Sequence, residues 1–105
     1  MRHQLQVAAA GDAAVVSVGA ESLCESHVSA TGEELLRLAG ERPRLRLDFS
    51  EVDYLNSLAV AKLVSVYRRA KGGGGSLTLE NVGAPVYEIL EITGLTGLLD
   101  IQRPT

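Results

Sequence analysis

The 105-residue sequence has no tryptophan, one phenylalanine, three tyrosines, one methionine and one cysteine. A core built from it must be aliphatic, of Leu, Val, Ile and Ala, because those are the apolar side chains left to bury. Cys24 has no second cysteine to pair with, so an internal disulfide is excluded; it reads as a small, semi-buried apolar residue of a reducing compartment. No apolar run approaches the roughly 20 residues of a membrane-spanning helix. Met1-Arg2-His3-Gln4 leads into an alternating segment rather than a continuous apolar stretch with a cleavage site. A cytoplasmic protein without membrane insertion is the expectation. An excess of basic charge is also missing: ten Lys and Arg stand against thirteen Asp and Glu, a net charge of -3, which speaks against a nucleic-acid partner. What is present is 46% apolar and 22% charged residues, enough to bury a core. The length suits a single domain spanning 1–105.

Periodicity divides the chain. Leu5, Val7 and Ala9 alternate with Gln6 and Ala8, Gly11-Asp12 marks a turn, and Ala14 to Val18 forms a second strand, so the chain opens with a hairpin. Residues 19–27 have no clear period and read as a loop. Ser29 or Thr31 can cap a short helix, Thr31-Gly32-Glu33-Glu34 fits a capping box, Leu35, Leu36, Leu38 and Ala39 supply its buried stripe, and Gly40 ends it. Beyond Pro43, Leu45, Leu47 and Phe49 alternate with Arg44, Arg46 and Asp48 as a strand. From Ser57 the period turns helical, with Val60, Leu63, Val64 and Tyr67 inward and Lys62, Ser65, Arg68 and Arg69 outward. Gly72 to Gly75 stop that helix, and Leu77 to Leu79 make a strand. A third helix carries Pro85 in its first turn, Val86, Ile89 and Leu90 inward, and Gly94 at its end. Leu98 to Ile101 fits a last short strand. The order β-β-α-β-α-β-α-β predicts an α/β fold, a mixed sheet of four to five strands with helices packed on it.

Few residues offer chemistry. Ser57 as a nucleophile needs a base, and the only histidines, His3 and His27, lie outside the main motifs; no Gly-x-Ser-x-Gly elbow is present. Two histidines and one cysteine at scattered spacing make no metal set. Asp48, Glu51 and Asp53 cluster before Ser57, but no phosphate cradle accompanies them to suit Mg²⁺, and strand-end carboxylates are usually solvated. Gly72-Gly73-Gly74-Gly75-Ser76 follows a helix and precedes a strand, the reverse of a P-loop. The same string is common as an engineered linker, yet its flanks read as one continuous fold. No catalytic residue, metal or cofactor is expected. At Asn56-Ser57 either residue suits the helix N-cap. A phosphate on Ser57 would also meet free N–H groups and a favourable dipole there. It would add about -1.5 to -2 charges, taking the chain from -3 to roughly -5.

The segment from Leu45 to Ser57, Leu-Arg-Leu-Asp-Phe-Ser-Glu-Val-Asp-Tyr-Leu-Asn-Ser, resembles the strand and loop of STAS domains, in which an apolar strand leads to Asp-Ser-Ser/Thr-Gly-Leu at a helix start. Tyr67-Arg68-Arg69-Ala70-Lys71 with its glycines is similar to the family's helix exit. Ser76 to Val82 resembles the next strand, and Ile92-Thr93-Gly94-Leu95 the end of the third helix. The likeness runs from about Leu45 to Ile101. The sequence departs from the pattern in three places. At the helix start Asn56 stands for the family's Asp, and Leu58-Ala59 for its Ser/Thr-Gly. The usual Gly-Glu-Leu/Ile-Asp after the second strand is Gly19-Ala20-Glu21-Ser22.

The resemblance implies a non-enzymatic antagonist of an anti-sigma factor. Its unphosphorylated form would bind an anti-sigma factor that is also a serine kinase of the histidine-kinase-like ATPase type, freeing a sigma factor. Phosphorylation of Ser57 would release the partner, and a separate phosphatase would reset the cycle. Asn56, Ser57, Leu58, Ala59 and Lys62 are the residues expected to meet that partner. The alternative is a STAS scaffold or accessory subunit of a cytosolic complex such as a lipid ABC transporter, without phospho-regulation.

Overall fold

The computed structural model describes residues 5–11, 13–19, 23, 26–42 and 44–102. The expectations placed on His3, Asp12, residues 20–22, Cys24 and Pro43 lie outside the described residues. The chain runs β1 (Leu5–Ala10), β2 (Ala13–Val18), α1 (Val28–Glu41), β3 (Arg44–Asp48), α2 (Ser57–Gly72), β4 (Ser76–Glu80), α3 (Ala84–Ile92), a single 3₁₀ turn (Leu95–Gly97) and β5 (Asp100–Ile101). The strands form one five-stranded sheet in sequential order. β1 and β2 are an antiparallel hairpin, and every later pairing is parallel. This is the α/β architecture and element order expected from the alternation.

Because strand side chains alternate between faces, the register sorts them. Ala14 and Val16 of β2 line up with Leu45 and Leu47 of β3, and these with Leu77 and Leu79 of β4, while Val18 follows on the same face of β2. All seven are buried. They meet Leu35 and Leu38 of α1, Leu63 and Val66 of α2, and Val86 and Leu90 of α3 in one aliphatic core, with Phe49 as its single large ring. The opposite face carries Val15, Ser17, Arg44, Arg46 and Ser76, all exposed. There Arg46 Nε donates to Glu80 Oε2 at 2.6 Å, across the β3–β4 ladder.

Three expectations are corrected. The first helix is not short and does not begin on a Thr31 box. It starts at Val28, has 14 residues, and takes His27 as an N-cap without a side-chain cap bond. Val28, Thr31, Gly32, Leu35, Leu38 and Ala39 are its buried residues, a stripe at helical spacing whose burial draws the first turn inward of the apparent capping signal. Gly40 therefore lies within the last turn rather than beyond it. In α2 the innermost residues are Ala59, Leu63, Val66 and Ala70, while Val60, Val64 and Tyr67 are half-buried. The stripe is rotated because alanines let the helix sit close to its neighbours. The last strand is only two residues, since Leu95–Gly97 winds into the 3₁₀ turn first.

Candidate functional site

The parallel strands β2, β3 and β4 all point their C-terminal ends toward the same rim, where α1, α2 and α3 begin. In open α/β sheets this is the end at which ligands and partners are usually met. The segment between β3 and α2 forms the centre of that rim. Phe49, Val52 and Leu55 are buried, so every third residue is driven into the core and the backbone is held against the sheet. Phe49 N–H donates to Glu80 C=O at 2.9 Å and Val52 N–H to Phe49 C=O at 2.9 Å. The residues between these anchors, Ser50, Glu51, Asp53 and Tyr54, are exposed.

Asp48 clamps the base of this loop. Its Oδ1 accepts from Ser50 N–H at 2.9 Å and from Asn81 Nδ2 at 3.1 Å. The Asn81 bond first, then the Ser50 backbone bond, hold its carboxyl below the usual value of 3.8, against an opposing push from burial. Asn81 has φ 56°, a left-handed conformation that asparagine tolerates better than most residues. Its amide can thereby reach back across the strand ends.

At the start of α2 the cap is Asn56. Its Oδ1 accepts from Ala59 N–H at 2.8 Å and its backbone is extended (φ -89°, ψ 177°). That satisfies one of the orphan donors of the first turn. Ser57 is the first helical residue, exposed, with no part in the cap bond. Leu58 is 45% exposed and Tyr54, one loop position removed from Leu55, is 66% exposed. The five candidate residues thus divide. Ser57 and Leu58 face solvent, Asn56 is half-buried and committed to the cap, and Ala59 is fully buried. Lys62 is half-buried, with Nζ 3.6 Å from Glu33 Oε2 and its stem laid over Gly32 of α1.

Two features of this rim escape sequence reasoning. Tyr54 sits in what reads as a plain connecting segment; its scarcity value as one of three tyrosines was the only available signal. The hydroxyl of Thr31, buried and without a partner among the described residues, gives no signal at all. A cavity of about 380 Å³ between the loop and the start of α3 is lined by Phe49, Ser50, Val52, Asp53, Asn81, Gly83 and Pro85. Asp53 is the one ionisable group in that lining.

A family model described as the Mlab STAS domain matches residues 5–100. The chain belongs to the STAS domain family. The anti-sigma-B factor antagonist of Bacillus subtilis (strain 168) is 35% identical over 70 residues, 67% of this chain and 64% of that protein. The match therefore spans less than two thirds of the relative's length. Among solved structures, an anti-sigma-factor antagonist (STAS) domain protein from Planctomyces limnophilus superposes with a TM-score of 0.81 at 21% identity, covering 96% of this chain and 91% of that one. The anti-sigma factor antagonist SpoIIAA in its unphosphorylated form gives a TM-score of 0.73 at 13% identity, covering 97% and 90%. At such identities these two neighbours establish the fold. No described helix is long and apolar enough to cross a membrane.

Proposed function

We propose that this STAS domain is an anti-sigma factor antagonist switched by phosphorylation of Ser57. The observation that carries the reading is the division of labour at the head of α2. Asn56 supplies the cap, which leaves the Ser57 hydroxyl exposed at the first helical position and free for a kinase. The unphosphorylated protein offers a partner Tyr54 and Leu58, two exposed apolar side chains, and the loop before α2 also carries the exposed carboxylates of Glu51 and Asp53. The partner is an anti-sigma factor that is also a serine kinase of the histidine-kinase-like ATPase type, and its capture frees a sigma factor.

Phosphorylation works by charge. A phosphate on Ser57 takes the net charge from -3 to roughly -5. The first-turn N–H groups of Ser57 and Leu58 stabilise it, since Asn56 occupies only that of Ala59. A surface that docked with Leu58 desolvated must then bury a dianion at the head of α2, after a loop that already carries Glu51 and Asp53, and the complex separates. Phosphotransfer belongs to the partner and dephosphorylation to a separate phosphatase; this chain performs neither.

Mass spectrometry of the protein purified from its native cells tests the reading. The expected result is a population carrying one phosphate, placed on Ser57 by fragmentation and absent from Ser57→Ala. Phosphate at another serine, or an unmodified protein under every growth condition, would refute the switch. A second reading, a constitutive STAS subunit of a complex such as a lipid ABC transporter, draws on the description of the matching family model by Mlab rather than by an antagonist. In that case Ser57→Asp leaves binding intact and the copurifying partner is a transport ATPase.

A further inference from the structure

The two edges of the sheet are built to different standards. β5 is two residues long and carries Asp100, whose carboxylate accepts from Thr78 Oγ1 at 3.3 Å. A short, charged strand is one of the ways a protein prevents edge-to-edge pairing. β1 has none of these protections. Its six residues, Leu-Gln-Val-Ala-Ala-Ala, contain no charge and no proline. They pair one-to-one with β2 from Leu5↔Val18 to Ala10↔Ala13, so no bulge twists the edge away. Gln6, Val7, Ala8 and Ala9 are exposed, and Val7 is 41% so although it lies on the helix-bearing face. Such a strand has alternate N–H and C=O groups directed away from the sheet, and among the described residues they have no ladder partner on that side.

We infer that the β1 edge is a self-association surface on which two copies of this chain pair β1 antiparallel with β1, giving one continuous sheet of five strands from each copy. A second copy is the occupant the edge suits, for reasons of symmetry and charge. An antiparallel strand pair has a two-fold axis normal to the sheet, so any regular edge strand is complementary to itself. The axis keeps the helix-bearing face of both copies on the same side. Residues directly opposite must share a face, so Leu5, Val7 and Ala9 can pair only among themselves. A register centred on Val7 sets Val7 against Val7 and Leu5 against Ala9; a shift of one pair sets Val7 against Ala9. Either way no like charges face each other along β1, although the chain as a whole is acidic, and the alanines allow close approach. Because β5 is blocked, association closes at the dimer instead of running on as a fibre. A single strand pair with small side chains is less than a standard interface, so the dimer is weak and concentration-dependent. Ser57 opens α2 beyond β3, two strands from this edge, and the proposal stands or falls apart from the phosphorylation reading.

Sedimentation equilibrium of the full chain from micromolar to millimolar concentration reads the proposal directly. The weight-average mass is expected to rise from monomer toward dimer and no further. Val7→Lys, at an exposed position, is expected to raise the dimer dissociation constant roughly tenfold or more, by placing like charges opposite or diagonal to one another. Val7→Glu should do the same, and an equimolar mixture of the two should associate again, which only a pairing that brings residue 7 near its own counterpart allows. Leu58→Ser, an equal loss of exposed apolar surface elsewhere, should leave association unchanged. Circular dichroism confirms that each variant is folded, and Ala9→Lys replaces Val7→Lys if that one is not. A wild-type chain that stays monomeric would hand the edge to a strand of some other protein and overturn the proposal. Growth beyond dimer, a Val7→Lys variant that dimerises normally, failure of the mixture, or a dimer lost in Leu58→Ser would each overturn it too.

Discussion

α2 starts on a side chain and α1 does not. Asn56 accepts from Ala59 N–H at 2.8 Å and closes the first turn of α2, whereas His27 makes no side-chain cap bond to α1 and its backbone is not extended (ψ -10°). The helix without the cap is held from its flank. Gly32 of α1 lies so close to α2 that a Cβ there would stand 2.6 Å from Lys62 Cδ and 2.9 Å from Cγ. Just beyond, Lys62 Nζ reaches Glu33. One helix is therefore started locally and the other by tertiary contact. The difference bears on the proposed switch: the locally capped helix can present its first residue, Ser57, without depending on its side chain for the cap.

The largest expected effect tests the flank contact. In an isolated helix Gly→Ala is stabilising by about 1 kcal/mol. At Gly32 the new methyl group must displace the middle of the Lys62 stem, an overpacking that costs about 1–3 kcal/mol. Gly32→Ala should thus lower the urea-unfolding free energy by up to about 2 kcal/mol, the overpacking less the helix gain. In a Lys62→Ala background the obstacle is gone and the same substitution should raise stability by about 1 kcal/mol. Equal signs in the two backgrounds would show that Lys62 does not set the helix–helix distance.

Next in size is the cap. Asn56→Ala should cost about 1 kcal/mol, and Asn56→Asp should restore it with an added charge at the helix start worth about 0.3–1 kcal/mol. The functional consequence is sharper than the energetic one. Without Asn56 the nearest hydroxyl able to cap is that of Ser57, so Asn56→Ala should slow phosphate incorporation at Ser57 while Asn56→Asp should not. Equal rates in all three proteins would separate capping from the switch.

How legible these two helices were in the sequence follows the same division. The start of α2 at Ser57 was readable because its signals are local: a cap-forming pair, then an amphipathic run. Which member of the pair caps was not readable, since Asn and Ser serve equally well, and the choice depends on the extended backbone that Leu55, buried just before Asn56, imposes. The start of α1 at Val28 is not local in this way. Thr31-Gly32-Glu33-Glu34 has the letters of a capping box, but Val28, Thr31, Leu35 and Leu38 continue one buried stripe through it, and burial outweighs a cap worth about 1 kcal/mol. Ala59 and Ala70 were passed over as core residues of α2 because small side chains announce neither face. The order of elements along the chain and the mixed sheet were legible from alternation. The contrast between its edges was not, because it depends on β5 being cut short by the 3₁₀ turn.

Thr31 also measures what flank packing leaves behind. Its hydroxyl is buried in α1 and has no partner among the described residues, and an unsatisfied buried polar group costs about 1–3 kcal/mol. Thr31→Val keeps the branched shape and removes the donor, so the protein should gain about 1 kcal/mol in urea unfolding. A loss of stability would show that the hydroxyl bonds back to its own helix.

The smallest expected effect concerns how the third helix, α3, compares with the other two. It resembles α1 in having no side-chain cap, with Gly83 at its N-cap position. Yet the strand exits that lead into α2 and α3 are joined through a single carboxylate, since Asp48 accepts from both Ser50 N–H and the Asn81 amide. Because those bonds lower the carboxyl below its ordinary 3.8 in the folded protein, the unfolded chain binds its proton first as pH falls. The stabilisation is then complete above the ordinary aspartate value and fades as the pH drops through the lowered one. Urea midpoints followed from neutral pH into that acid window should fall less steeply for Asp48→Asn than for wild type. The variant should be slightly less stable at neutral pH and the two should converge in strong acid. Parallel acid limbs would mean that Asp48 does not couple the entries of α2 and α3, and that α3, like α1, is positioned by its buried face alone.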